Sequence, residues 1–320
     1  MSKGLVTIFG GSGFIGKYVV RALVRDGWRV RVAMRRPHTG LDLKVIGNVG
    51  QVQLVQANLR FPESIERAVE GSDAVVNLVA ILFESGEQSF EAMHVTGAET
   101  LANACAAHDI NNLVHISALG ADANSDSDYA RTKGEGEDII RSAIPSADIL
   151  RPSVVFGPED NFFNQFAAMT SFAPALPLIG GGATKFQPIF AGDVAEAVAV
   201  CLKRGTKGET YGLGGPQTYT FKELLEFVLT TVDRKRLLLP LPWFAANAMG
   251  FAGELSGAIP FVAPFLTRDQ VKLLKNDNIV PEDMKSADDL GLKLETVEAI
   301  VPSYLARYRH HGQFHERQAS

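Results

Sequence analysis

A chain of 320 residues, 46% hydrophobic and 21% charged, has ample apolar surface for one large core or two modest ones. Its net charge of −5 offers no basic field to attract nucleic acid, and the low cysteine content, Cys105 and Cys201, suits a reducing compartment. The opening MSKGLVTIFG runs straight into a strand pattern without a signal peptide, and no uninterrupted run of about eighteen apolar residues predicts a membrane span.

The first half alternates strand and helix. Leu5–Phe9 is a short β-rich run, and Phe14–Asp26 carries Ile15, Val19, Val20 and Leu23 at helical spacing before Gly27 closes it. Strands are predicted at Arg29–Met34, Val52–Gln56, Ala74–Ala80 and Leu113–Ser117, with helices at Pro62–Glu70 and Ser89–His108. A further helix starts near Tyr129, and strand Ala147–Leu150 runs into Arg151-Pro152. This rhythm predicts an α/β fold: a doubly wound parallel sheet of Rossmann type, with ligands bound outside the carboxyl ends of the strands. Residues 1–157 form the nucleotide domain, rejoined by 184–214 through strand Phe186–Phe190 and a helix Asp193–Arg204 capped by Asp193. Residues 158–183 and 215–309 form a smaller, mostly helical C-terminal lobe. Cys105 and Cys201 read as buried small hydrophobes, and the tail 310–320, with His310, His311 and His315, as a solvated end rather than a metal site.

Glycines at 10, 13 and 16 follow a strand and open a helix, the context in which such a triplet signals dinucleotide binding. Gly10 permits the tight turn, Gly13 lets phosphate approach the backbone, and Gly16 lets the helix pack on the strand. Ser12, Phe14 and Ile15 complete the loop, where the helix N-terminus offers free N–H groups. The second strand ends Arg35-Arg36, where an acidic residue would favour NAD. Guanidinium forks suit a ribose 2′-phosphate, so NADPH is the expected cofactor ahead of NAD.

Tyr129 and Lys133 stand one helical turn apart, after a fifth strand ending in Ser117. This arrangement suits hydride transfer at a carbonyl or alcohol. Lys133 would lower the tyrosine pKa from its ordinary value near ~10 and bond the nicotinamide ribose, while Ser117 orients the substrate oxygen.

These residues, with Asn58-Leu59, Asp73–Val76 and Arg151–Gly157, resemble the short-chain dehydrogenase/reductase superfamily of extended or atypical type. The resemblance implies cofactor contacts from Asn58 and Leu59 near the adenine, from Val79 and Ala80 after the fourth strand, and from Pro152 to Val155 near the nicotinamide. Members often carry N-V-x-G on the helix before the fifth strand; here it reads His94-Val95-Thr96-Gly97. Histidine can relay protons but does not reproduce an asparagine's backbone contacts. A longer resemblance, through Phe9–Val20, Tyr129–Glu137, Arg151–Phe166, Leu239–Phe244 and Thr267–Val271, is to the NADPH-binding accessory subunits of respiratory complex I and their bacterial relatives. It implies tightly held nucleotide, complex I near its quinone site as partner, and a link to quinone metabolism. The expected location is the inner face of a bacterial cytoplasmic membrane, or the matrix side in a mitochondrion.

Residues 237–266 contain one formal charge, Glu254, and follow Arg234-Lys235-Arg236. Prolines 240, 242, 260 and 264 prevent a single spanning helix, while Phe244, Ala248, Phe251 and Leu255 share a helical face. Such a segment serves a membrane surface, a partner or a hydrophobic substrate pocket. Three functions follow: a complex I or quinone-linked accessory protein, a free NADPH-dependent reductase of a hydrophobic carbonyl, or a nucleotide-sensing regulator.

Overall fold

The computed structural model describes residues 3–257 and 264–309, and the side chains of 255–257 fall outside that description. The tail histidines, Pro260 and the Leu255 side chain lie outside the described residues. The chain divides into two compact units: Met1–Pro152 with Ala191–Leu213 and Val280–Lys293, and Ser153–Phe190 with Gly214–Ile279 and Leu294–Ser320.

The first unit is built on β1 (Leu5–Phe9), β2 (Arg29–Met34), β3 (Val52–Gln56), β4 (Ala74–Asn77), β5 (Leu113–Ile116) and β6 (Asp148–Pro152). A further strand, Thr210–Leu213, completes a parallel sheet in the order Thr210–Leu213, β6, β5, β4, β1, β2, β3. Its helices include α1 (Phe14–Arg25), α2 (Pro62–Val69), α3 (Gly97–Ala107) and α4 (Asp128–Ala143). Strand order reverses between β1 and β4, which makes the carboxyl end of β1 the switch point of a doubly wound sheet. The apolar strands explain the burial: Val75, Leu113 and Ile149 from the sheet pack with Ile65, Val69, Leu101 and Ile140 from helices. Each such side chain contributes about 1.5–3 kcal/mol when fully buried.

Several boundaries differ from the sequence expectation, for identifiable reasons. β4 stops at Asn77 because its Oδ1 accepts the Val79 N–H at 3.1 Å and turns the chain away. The helix expected from Ser89 to His108 is interrupted by a π-helical turn, Glu91–Thr96, where the Gly97 N–H reaches back to Ala92 O. The helix expected from Asp193 begins at Ala191, so Asp193 lies in its first turn rather than at its cap. Pro188 divides the expected strand 186–190 into Lys185–Phe186 and Ile189–Phe190. Segment 280–293, assigned from sequence to the smaller lobe, lies with the first unit, where the Gly212 N–H donates to Lys285 O at 2.7 Å. Buried Asp148 collects Arg204 Nη2 at 2.7 Å and the N–H groups of Lys207 and Glu209, fastening the approach to the last strand.

The second unit has helices Phe162–Met169, Phe221–Thr231, Trp243–Gly257, Arg268–Leu273 and Val297–Leu305. Thr220 with Glu223, and Thr267 with Gln270, form capping boxes that start two of them. Strands Ala175–Ile179 and Leu237–Leu241 pair in parallel. Phe156, Phe163, Phe166, Phe186 and Phe221 centre an aromatic core with Leu224 and Val301.

Candidate functional site

The glycine loop joins β1 to α1. Gly10 adopts φ +80°, and its carbonyl accepts the Gly13 N–H at 3.0 Å. A Cβ on Gly16 would stand 2.3 Å from Gly10 O and 2.6 Å from the Gly11 backbone, so only glycine closes this turn. A Cβ on Gly13 would meet nothing nearer than Gly10 O at 3.3 Å, and Gly13 is exposed. Gly11, not singled out in the sequence reading, packs on β2: its Cβ would lie 2.9 Å from Val32 Cγ1. The adjacency of Gly10 and Gly11 was the available signal.

Ser12, Phe14 and Ile15 are half-buried around the start of α1, whose first turn has no acidic side chain to compete for its N–H groups. The bare backbone at Gly13 and the uncontested helix end fit a pyrophosphate.

Except for Val155, the other expected cofactor residues lie at or follow the carboxyl ends of the neighbouring strands of the first unit. Arg35 and Arg36 follow β2 and are exposed; Arg35 Nη1 donates to Gln88 Oε1 at 2.8 Å. After β3, Asn58 Oδ1 accepts the Arg60 N–H at 3.2 Å and Leu59 is buried. Val79 and Ala80 leave β4, the first half-buried and the second exposed. Pro152 ends β6 and is buried. Val155 belongs to the second unit, paired with Ile189.

Ser117 lies just past β5, its N–H donating to Leu150 O at 2.7 Å. Its Oγ is buried and has no hydrogen-bond partner among the described residues. An orphaned buried hydroxyl at a strand's carboxyl end fits a group that receives a ligand oxygen.

On α4, Lys133 is buried and its Nζ donates to Ile116 O at 2.7 Å. Desolvation lowers its pKa to about 8, against the opposing effect of Glu137. Glu137 itself is bidentate to Arg151, Nε to Oε1 at 2.9 Å and Nη2 to Oε2 at 2.7 Å. The Tyr129 ring meets Phe90 and His94 edge-on, with centroids 5.8 and 5.5 Å away. Desolvation raises the Tyr129 pKa to about 12, contrary to the expectation that Lys133 would lower it.

His94 sits in the π-helical turn. Its Nε2 accepts the Ile81 N–H at 3.1 Å, so this histidine does make a backbone contact. Its Nδ1 lies 3.1 Å from Thr132 Oγ1, whose hydroxyl donates to Asp128 O at 2.7 Å. The two bonds require the neutral Nδ1–H tautomer. Burial first, then the Lys133 charge, lowers the His94 pKa to about 3. With both nitrogens engaged and no charge at neutral pH, His94 acts as a fastener rather than a proton carrier. Behind it, His115 Nδ1 pairs with Asn77 Nδ2 at 3.1 Å, while its buried Nε2 has no partner among the described residues.

A parallel sheet in this order, with a glycine loop at the switch point, defines a dinucleotide-binding Rossmann protein. Residues 6–214 match the NAD dependent epimerase/dehydratase family, and the chain belongs to it. It is 31% identical over 309 residues to the mitochondrial NADH-ubiquinone oxidoreductase 40 kDa subunit of Neurospora crassa, covering 96% of this chain and 80% of that one. It is 33% identical over 319 residues to the mitochondrial NADH dehydrogenase (ubiquinone) 1 alpha subcomplex subunit 9 of Arabidopsis thaliana, covering 97% and 79%. Among solved structures, UDP-glucose 4-epimerase from Thermotoga maritima aligns with TM-score 0.70 and 15% identity over 95% of this chain and 98% of that one. That last likeness carries the fold alone.

Proposed function

We propose that this protein holds NADP(H) as a built-in ligand and serves respiratory complex I as an accessory or assembly factor, with a link to ubiquinone metabolism. The observation that carries this reading is the similarity to complex I subunits over 96% of the chain, which extends through the second unit. The neutral, doubly bonded His94 and the raised Tyr129 pKa favour retention of nucleotide over turnover.

A partner-facing role also agrees with the second unit's surface. Phe244 is 78% exposed and Phe251 51% exposed on one face of helix Trp243–Gly257, and Leu237 and Leu239 are exposed on the neighbouring strand. Arg234-Lys235-Arg236 stands directly before them. No described helix is long and apolar enough to cross a membrane. The exposed rings beside a basic triplet support a peripheral location, proposed at the inner face of a bacterial cytoplasmic membrane or its mitochondrial equivalent. Native-gel migration of the endogenous protein from gently solubilised membranes, probed beside a complex I core subunit, tests this. Comigration is expected; recovery only as a free species, with intact complex I in a deletion strain, would overturn it.

A second reading, an NADPH-dependent reductase of a hydrophobic carbonyl, is favoured by the orphaned Ser117 Oγ beside the helix that carries Tyr129 and Lys133. It requires Tyr129→Phe to abolish turnover on a carbonyl that the wild type reduces.

A further inference from the structure

Between β4 and the π-helical turn the chain is tied at both ends. His94 accepts the Ile81 N–H at one end, and Glu84 Oε1 accepts the Phe90 N–H at 2.8 Å at the other. The tip is a tight turn in which Ser85 and Gln88 exchange two backbone hydrogen bonds of 3.1 Å, with Gly86 at φ +57°. That turn presents consecutive side chains to two arginines from other strand ends. Gln88 Oε1 accepts Arg35 Nη1 at 2.8 Å, and the Glu87 carboxylate accepts Arg60 Nη1. Arg35 follows β2 and Arg60 follows β3, and the sheet order here is β4, β1, β2, β3. In the sheet, β1 lies between β4, which this segment leaves, and β2 and β3, whose following arginines it bonds. The glycine loop lies at the carboxyl end of β1.

We propose that Leu82–Ser89 is a strap across the phosphate loop, and that Gln88 is a specificity-determining residue that aims Arg35 at a ribose 2′-phosphate. The assignment rests on the NADP(H) reading above. A neutral amide orients the guanidinium and leaves its charge uncompensated, whereas a carboxylate at the same place would cancel it. Glu87 already compensates Arg60, so Arg35 carries the charge that discriminates. Glu87 is 81% exposed and Arg60 half-buried, so solvent screens and weakens the pair, and the strap opens for nucleotide entry. A bound 2′-phosphate gives Arg35 a charged partner and closes the strap from beneath. His94, by fixing Ile81 to the helix bearing Tyr129, is the strap's positioning residue.

The test compares the purified full chain with Gln88→Glu and with a Glu87→Ala/Gln88→Ala double variant. Equilibrium titration gives NADPH and NADH affinities, and stopped-flow chase gives release rates. Gln88→Glu should weaken NADPH about tenfold while leaving NADH nearly unchanged. The double variant should release NADPH on the order of tenfold faster. Tight NADPH binding with wild-type release in the double variant would overturn the strap. Equal losses for both nucleotides in Gln88→Glu would overturn the role of Gln88. A wild type that binds neither nucleotide would sink the NADP(H) reading itself, and the strap with it.

Discussion

Lys133 Nζ donates a hydrogen bond to the carbonyl oxygen of Ile116 at 2.7 Å, tying α4 to the end of β5. The ammonium is bound to the sheet yet desolvated, with a folded pKa of about 8 against an ordinary 10.5. A depressed folded pKa means the unfolded chain binds the extra proton between those values. Stability from this group is therefore complete above pH 10.5 and lost as pH falls through 8. Urea unfolding of wild type and Lys133→Met at pH 7.5, 9 and about 10 should show a rise with pH that the variant lacks. Parallel profiles would contradict a desolvated Lys133.

His94 carries the same sign at lower pH. Its folded pKa of about 3 lies below the ordinary 6.5, so its stabilising effect is present above 6.5 and lost as pH falls towards 3. Wild type should lose on the order of 2 kcal/mol more than His94→Asn between pH 7 and pH 5. His115 is present in both proteins and is held neutral chiefly by burial and then by Lys133, with His94 the smallest of its three causes, so its contribution changes little in the comparison.

The glycine loop allows binding to be separated from folding. Gly16→Ala drives a Cβ into the Gly10 and Gly11 backbone and should cost about 1–3 kcal/mol as well as nucleotide binding. Gly13→Ala meets only Gly10 O at 3.3 Å, so the melting temperature should stay within a few degrees while nucleotide affinity falls. A Gly13→Ala protein that binds as tightly as wild type would place the phosphates elsewhere.

Arg35→Glu combined with Arg36→Ala should weaken NADPH on the order of tenfold or more and NADH far less, by fluorescence titration. Both residues are exposed, so thermal stability should not change beyond about 0.5 kcal/mol.

On the second unit, Phe244→Ser with Phe251→Ser removes two exposed rings from one helical face. Unfolding midpoints should hold, while comigration with complex I or recovery with membranes should drop. Unchanged comigration would exclude this face from the contact.

What could be read ahead of the structure was local. β1, β2 and β3 and the glycine loop are contiguous patterns, in which period and spacing act within a few residues. What escaped was set by long-range pairing or by a single residue of register. Thr210–Leu213 is short and carries Gly212, and its place depends on pairing with β6 and on Lys285. The Arg35–Gln88 bond joins residues with no pattern in common. For the site, residue identities were legible but their states were not. Burial, a tertiary property, decides that Tyr129 rises and that His94 stays neutral.

The π-helical turn holds one residue more than an α-helix would fit into the same rise. An α-helix turns roughly 100° with each residue. Removing Val95 alone would let the turn relax into regular helix while Leu101, Ala102 and Cys105 kept their places in the core. The residues flanking the turn would keep their places, but His94, inside it, would shift by one position along the helix and leave both Ile81 and Thr132. A one-residue deletion here should thus spare the helix register and the core while unfastening the segment that follows β4.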